Sequence, residues 1–377
     1  MANIQEAFDK IESKLPPLTD TNQPNKPYIN NIYITAVNDF ALRIQRYLAP
    51  GCLSSFAVSF IMSLIYVGAR ANTRAEIGRL LSIQSGINTN DFIHSIYEIY
   101  NELTENMIIF NGMFVNSRFM PFISKSFTQL FQPIGVIESF NPNDQQSSNR
   151  INKKIEQITH GKFKNIVPIL NNLSRIVLIN ACYFNMTWEQ GFDPYDTRVA
   201  DFYTANGDSK QQKYMIQSNV FRYYENGSGQ YCELPYQNTN YCFGVFLPKR
   251  GTSILTDYIS KISAMRTSKV KIYLPKFAQR TNLPLISTFA KMGLKSLFDT
   301  RAAEIGGIIS TPDVFVSDAV HECVFSTDEQ GGEATTAIAK SPKSEEEQHV
   351  MRCDHTFLYY VRFVKYNLIL LTGVFDG

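Results

Sequence analysis

Chemistry in a protein chain needs a nucleophile with a base, or ligands at metal-binding spacing, so the histidines come first. They stand at His94, His160, His321, His349 and His355, and none shares an H-E-x-x-H or other close ligand spacing. No G-x-S-x-G elbow, G-x-G-x-x-G turn or Walker loop occurs. The six cysteines, Cys52, Cys182, Cys232, Cys242, Cys323 and Cys353, form no C-x-x-C pair. They read as buried thiols in strands, with Cys353 exposed at a loop edge. Each histidine taken alone reads as a structural or surface residue, so the chain reads as no enzyme, with no cofactor and no metal.

Two polar residues are out of place. Asn180 interrupts IVLINACYF and His321 interrupts DAVHECVF. A buried polar side chain needs a partner, so both read either as satisfied core hydrogen bonds or as neighbours that gate a movable sheet. Ser54, at the start of an apolar helix, is a candidate third member. Trp188, the single tryptophan, reads as core. The other anomaly is residues 329–352, EQGGEATTAIAKSPKSEEEQHVMR: a long polar segment between apolar strands, close to the C-terminus. A loop of that length in a compact domain is either functional or disordered.

The elements that must position these residues follow from periodicity. Helical spacing runs over Tyr33–Leu48 until Ala49-Pro50-Gly51 stops it, and SSFAVSFIMSLIYVGA is apolar nearly all round, as in a buried helix. Further helices are expected at NTRAEIGRLL, over 91–106, at INKKIEQITHGKF with Gly161 as its C-cap, and at LISTFAKMGLKSLF. Strands are expected at MIIFNGMFVN, SRIVLINACYF, VKIYLPKF, HECVFST, TFLYYVRF and LILLTGVF, with YCELPY and YCFGVFLP as a hairpin pair. Helices come first and strands later, without βα alternation, which predicts α+β.

Composition bounds the rest. Of 377 residues, 44% are hydrophobic, enough for a large core, and 36 basic against 34 acidic residues exclude a dominant basic field for nucleic acid. No stretch reaches membrane-span length, and MANIQEAFDKIESKLPPLTD lacks a signal peptide's layout. The expected location is cytoplasmic or reached by unconventional export; extracellular is the alternative, if a signal has been removed. Sequons at Asn172, Asn185 and Asn226 carry little weight.

Taken together the motifs resemble the serpin family, from about Tyr33 to Val374. ACYFNMTWEQGF, preceded by Asn180, is similar to N-A-x-Y-F-x-x-x-W-x-x-x-F. INKKIEQITHGKF resembles I-N-x-W-V-x-x-x-T-x-G-K-I with Lys154 for Trp, and DHTFLYYVR resembles D-H-P-F-L-F-x-I-R with Thr356 for Pro. HECVFSTDEQGGEATTA resembles the family's hinge signature. The resemblance implies a serpin fold of three β-sheets with about nine helices, as one domain over 31–377 after an N-terminal extension, 1–30. It implies that Ser54, Asn180 and His321 form the hydrogen-bonded shutter and that Trp188 lies at the breach. Ala57 stands where the family has a second shutter serine.

It further implies a reactive-centre loop at about 329–353, cleaved by a protease and inserted as a new strand into the central sheet. The hinge would be Glu329, Gly331, Gly332, Glu333, Ala334, Thr335, Thr336 and Ala337. Glycine lets it rotate cheaply, and period two gives the inserted face Gly332, Ala334, Thr336 and Ile338, without bulk or charge. Counting from Glu329 along the family's loop places the scissile bond after Glu345 or Ser344; counting back from Phe357 gives Lys343. Lys343–Ser344 offers a cation to a trypsin-like pocket with its buried carboxylate, and Glu345–Glu346 is the alternative. The expected function is irreversible inhibition of a trypsin-like serine protease, trapped covalently by a monomer. The alternatives are a non-inhibitory carrier or chaperone, or an inhibitor of an acid-specific or cysteine protease. Residues 91–107, DFIHSIYEIYNELTENM, are acidic where the family's heparin helix is basic, so no strong heparin site is expected there.

Overall fold

The structure, a computed structural model, describes residues 26–48, 50–83, 87–103, 107–254, 257–331 and 349–377. The chain falls into two units: Met1–Phe40, Ala57–Tyr183 and Asn282–Glu322 form the first, and Ala41–Phe56, Phe184–Thr281 and Cys323–Gly377 the second.

Helix α1 (Lys26–Ile44) begins before the expected Tyr33, with Pro27 in its first turn, where a missing N–H costs nothing. It buries Tyr33, Val37, Phe40 and Ile44 at helical spacing. The short β1 (Gly51–Leu53) leads into α2 (Ser55–Gly68), buried nearly all round as its composition predicts. A side chain at Gly68 would come within 2.3 Å of Ile308, so α2 ends on a glycine at a close approach. α3 (Ala71–Leu80) and α4 (Thr89–Leu103) follow, and Phe60 of α2 stacks on Tyr100 of α4 at 4.4 Å. Next come β2 (Met107–Asn116), α5 (Lys125–Phe131) capped by the Ser124 hydroxyl, and β3 (Val136–Phe140). α6 (Ser147–Ile158) is closed by His160 and Gly161, both at positive φ, as the expected C-cap requires. β4 (Ile176–Phe184) is buried at every position.

Strands then dominate: β5 (Arg198–Tyr203), β6 (Ser209–Asn226), β7 (Gly229–Pro235) and β8 (Tyr241–Pro248), the last two an antiparallel hairpin as expected. After α7 (Tyr258–Ile262) come β9 (Arg266–Pro275), β10 (Phe277–Pro284) and α8 (Leu285–Lys291). The helix expected over 285–298 is shorter, because Gly293 turns the chain at φ +98°. β11 (Val316–Thr327), β12 (His349–Arg352), β13 (Phe357–Phe363) and β14 (Leu368–Phe375) complete the chain.

Among the described residues these elements make eight α-helices and two hydrogen-bonded sheets. The five-stranded sheet runs β10-β11-β4-β2-β3. Three contacts fix the direction of its middle pair. Arg175 N donates to Ser317 Oγ, Asn180 meets His321, and Phe184 stacks on Phe325. The near-constant offset means that β4 and β11 run parallel. The nine-stranded sheet runs β1-β14-β13-β8-β7-β6-β9-β12, with β5 on β6. It absorbs the third sheet expected from the sequence. The 18-residue β6 pairs with β5 over 209–214, with β9 over 214–223 and with β7 over 222–226, so one long strand joins both groups.

The second unit's core is aromatic, with Tyr231 on Phe246 at 4.5 Å and Tyr258 on Tyr360 at 4.9 Å. Inside it Glu233 receives Arg362 in bidentate fashion at 2.7 and 2.6 Å and Arg222 at 2.6 Å, which satisfies a carboxylate that burial would otherwise penalise. Cys353 is buried, not exposed: its N–H donates to Tyr273 O at 3.0 Å and carries the β12–β9 pairing one residue further.

Candidate functional site

Two clusters hold the residues singled out by sequence. The first, in the second unit, is where the chain leaves β11. Trp188 is buried, stacked flat on Tyr236 at 4.8 Å and edge-on to Phe192 and Phe243. Its indole Nε1 donates to Asp328 O at 2.9 Å and its backbone N to Gln330 O at 2.9 Å; Phe192 N donates to Glu329 O at 2.8 Å. Each backbone carbonyl from Asp328 to Gln330 is thus tied to the Trp188–Phe192 segment. The Asp328 carboxylate accepts from Gln330 N and Gly331 N, folding a tight turn. Gly331 has φ +109°, and a Cβ there would lie 2.4 Å from Met186 O and 2.7 Å from Trp188 N. Only glycine fits that backbone and that space.

Glu329 is held by its side chain as well. Lys276 Nζ donates to Oε2 at 2.5 Å and Thr197 Oγ1 to Oε1 at 2.9 Å. Burial pushes its carboxyl up, but Lys276 and Thr197 outweigh that and hold it below the usual carboxylate range.

The second cluster, in the first unit, is a chain of buried amides across the five-stranded sheet. His321 Nδ1 on β11 lies 2.6 Å from Asn180 Oδ1 on β4. Asn180 Nδ2 donates to Asn111 Oδ1 on β2 at 2.7 Å and to Ala57 O at 3.3 Å; Asn111 Nδ2 donates to Ile134 O at 3.1 Å. Both donations identify the amide nitrogen of Asn180, so its oxygen accepts and His321 donates from Nδ1. Burial pushes His321 down to about 3, against the smaller pull of the Asn180 contact, so the ring is neutral. Gly135 admits Asn111: a Cβ there would come within 2.4 Å of Asn111 O.

Asn180 and His321 are therefore brought together, and so are Trp188, Glu329 and Gly331. Ser54 lies in the second unit, where its hydroxyl donates to Leu370 O at 2.8 Å. Asn111 was missed, although an Asn inside MIIFNGMFVN is the same signal that marked Asn180. Gly332, Glu333, Ala334, Thr335, Thr336, Ala337, Lys343, Ser344, Glu345 and Glu346 lie outside the described residues.

The remaining histidines sit in structural settings. His94 meets Glu98 one helical turn on, His349 stacks on Tyr223, and His355 bridges Asp354 and Pro248 O. No group of three or more His, Cys, Asp or Glu side chains fit to hold a metal ion occurs among the described residues. No helix of the described residues is long and apolar enough to cross a membrane.

The family model "Serpin (serine protease inhibitor)" matches residues 35–376, and the chain belongs to the serpin family. An uncharacterized serpin-like protein of Acanthamoeba polyphaga mimivirus is 26% identical, over 100% of this chain and 94% of its own. Antithrombin-III of Homo sapiens is 26% identical, over 85% of this chain and 75% of its own. Among solved structures, the thermophilic serpin tengpin in its native state superposes with TM-score 0.83 over 98% of each chain, at 19% identity, which speaks for the fold.

Proposed function

We propose that the chain is an irreversible inhibitor of trypsin-like serine proteases that traps its target by inserting a cleaved loop between β4 and β11. The observation that carries this is the parallel β4–β11 pair with Gly331 at its exit. A segment that follows β11 and turns back at Gly331 runs antiparallel to β11, and therefore also antiparallel to β4. Insertion replaces one parallel ladder by two antiparallel ones, the pairing that is more stable per residue. The small or apolar residues at alternate positions, Gly332, Ala334, Thr336 and Ile338, suit the buried face of such a strand.

The chemistry is the protease's own until the loop moves. Its serine oxygen attacks the Lys343 carbonyl, the Lys343–Ser344 bond breaks, and the Ser344 amine leaves with the proton. The ester between protease and Lys343 remains. Insertion carries that ester away with the strand before water reaches it, which is why the inhibitor is consumed. Lys343 is the residue proposed for the lysine-accepting pocket; Glu345 is the alternative.

Incubation with trypsin followed by denaturing electrophoresis tests the reading. A band at the summed mass is expected, with a released C-terminal peptide that mass spectrometry begins at Ser344. Quantitative cleavage at Lys343 without any adduct would remove the inhibitory reading for trypsin-like targets. A peptide beginning at Glu346 would move the bond to the alternative.

A further inference from the structure

Among the described residues, one face of the nine-stranded sheet carries exposed side chains where β12 begins. Val270, Ile272 and Met351 are fully buried, so their neighbours Lys269, Lys271 and Tyr273 on β9 and Val350 and Arg352 on β12 point the other way. Register places Val220 of β6 beside Lys269, Val350 beside Lys271, and Arg352 beside Tyr273. The Arg352 guanidinium lies 3.8 Å from the centroid of the Tyr273 ring, and the Lys271 ammonium 5.6 Å from it. Two cations thus share one aromatic ring. No Asp or Glu stands at the matching positions of β6, β9 or β12 on this face. Two valines beside the cations are exposed, Val220 at 58% and Val350 at 43%.

Two like charges on one ring repel, and their placement becomes favourable when an anion arrives. The exposed valines argue for an occupant with apolar as well as acidic groups, as a protein surface has and a polysaccharide lacks. β12 begins at His349, six residues after Lys343, so this face lies close in sequence to the bond that the proposed target would hold.

We propose that Lys271, Tyr273 and Arg352, flanked by Val220 and Val350, form a docking surface for an acidic patch on the target protease, next to its active-site cleft. This rests on the inhibitory reading above. The surface steers encounter and adds no requirement to the acylation step, so it acts on the association rate and not on the number of inhibitor molecules consumed.

The test compares an anionic with a cationic trypsin isoform, which share the lysine-accepting pocket and differ in surface charge. Second-order trapping rates are measured in about 0.05 M and about 0.5 M salt. The wild-type chain is expected to trap the anionic isoform faster, with the advantage lost at high salt. Lys271→Glu with Arg352→Glu should slow the anionic isoform about 10-fold at low salt and leave stoichiometry intact. Lys271→Gln with Arg352→Gln, which keeps the stems packed, should give a smaller slowing in the same direction. Unchanged rates in both double variants, with adducts still formed, would overturn this surface alone. Acceleration of the wild type by heparin that both double variants lose would assign the face to a polyanion and overturn it too. Absence of adduct with either isoform defeats the inhibitory reading, and this inference with it.

Discussion

His321 Nδ1 on β11 and Asn180 Oδ1 on β4 are 2.6 Å apart, and both residues are buried. The pair is the side-chain counterpart of the backbone ladder between the two strands that the proposed insertion must part. Opening the sheet there would break a contact that water cannot replace until the strands have separated, so on the proposed reading the pair would oppose premature opening.

The first prediction is a pH dependence. His321 has a folded value of about 3 against about 6.5 in an unfolded chain. The folded value is depressed, so between the two the unfolded state binds the extra proton. The resulting stability is full above about pH 6.5 and is lost as pH falls toward 3. By about pH 5 the loss approaches about 2 kcal/mol. Urea midpoints at about pH 7.5 and about pH 5 should show the drop. His321→Asn, whose Nδ2 takes the place of the ring donor, should show a smaller one. An equal slope in both proteins would assign the acid sensitivity to other groups.

A second prediction concerns Asn111, the residue that links Asn180 onward to Ile134 O. Asn111→Ala leaves one donor of Asn180 and the Ile134 carbonyl without their partner in a fully buried site. That should cost about 1–3 kcal/mol, and the variant should convert to a loop-inserted form at lower temperature than the wild type. Thermal unfolding and native electrophoresis after mild heating read both effects; a variant unchanged in each would show that the amide chain carries no stability.

How far this site was readable follows from which physical signals are local. Asn180 and His321 each break an apolar run, and so does Asn111, so all three carry a one-dimensional mark. Their pairing does not, because 141 positions separate Asn180 from His321. The same holds for Glu329 and Lys276, each unremarkable in its own segment and joined only by the fold. β6 escaped notice because SKQQKYMIQSNVFRYYEN is rich in Lys, Gln and Asn, and its adjacent buried Tyr214 and Met215 break the period-two pattern. Buried β4 and the hairpin of β7 and β8 were legible because apolar runs bounded by turn residues have few other solutions.

The clamp at Trp188 gives a third prediction. Its indole donates to Asp328 O and Gly331 packs against its backbone, so the single tryptophan reports on the Asp328–Gly331 turn, the proposed hinge. Loop cleavage that draws the hinge into the sheet should change the intensity and wavelength of Trp emission. Glu329→Lys should mimic part of that change. It removes the acceptor of Lys276 and Thr197 and sets two ammonium groups together, at about 1–3 kcal/mol of local stability. Adding Lys276→Glu should restore part of the loss. If the double variant is no better than Glu329→Lys, the Lys276–Glu329 pair is not what holds the hinge.

The last prediction separates insertion from cleavage. The face expected to meet the core on insertion carries Gly332 and Ala334, and an arginine there would have to place a charge and a long stem beneath the sheet. Gly332→Arg or Ala334→Arg should leave the loop cleavable, because the proposed bond at Lys343 is untouched. Insertion should be slowed until hydrolysis of the acyl-enzyme overtakes it. The partition then shifts from adduct to cleaved inhibitor: each rise of about 1.4 kcal/mol in the insertion barrier raises the ratio of hydrolysis to insertion about 10-fold, and the moles of inhibitor consumed per mole of trypsin silenced, one plus that ratio, should rise above the wild-type value. Lys343→Ala is the complementary variant. It should retain an insertable strand but lose trypsin cleavage and adduct together, because the pocket's carboxylate has no cation to receive. Titration of residual trypsin activity against each variant, with electrophoresis of the same mixtures, distinguishes the cases. Arginine variants that trap trypsin at wild-type stoichiometry would mean that the loop does not enter the sheet by that face.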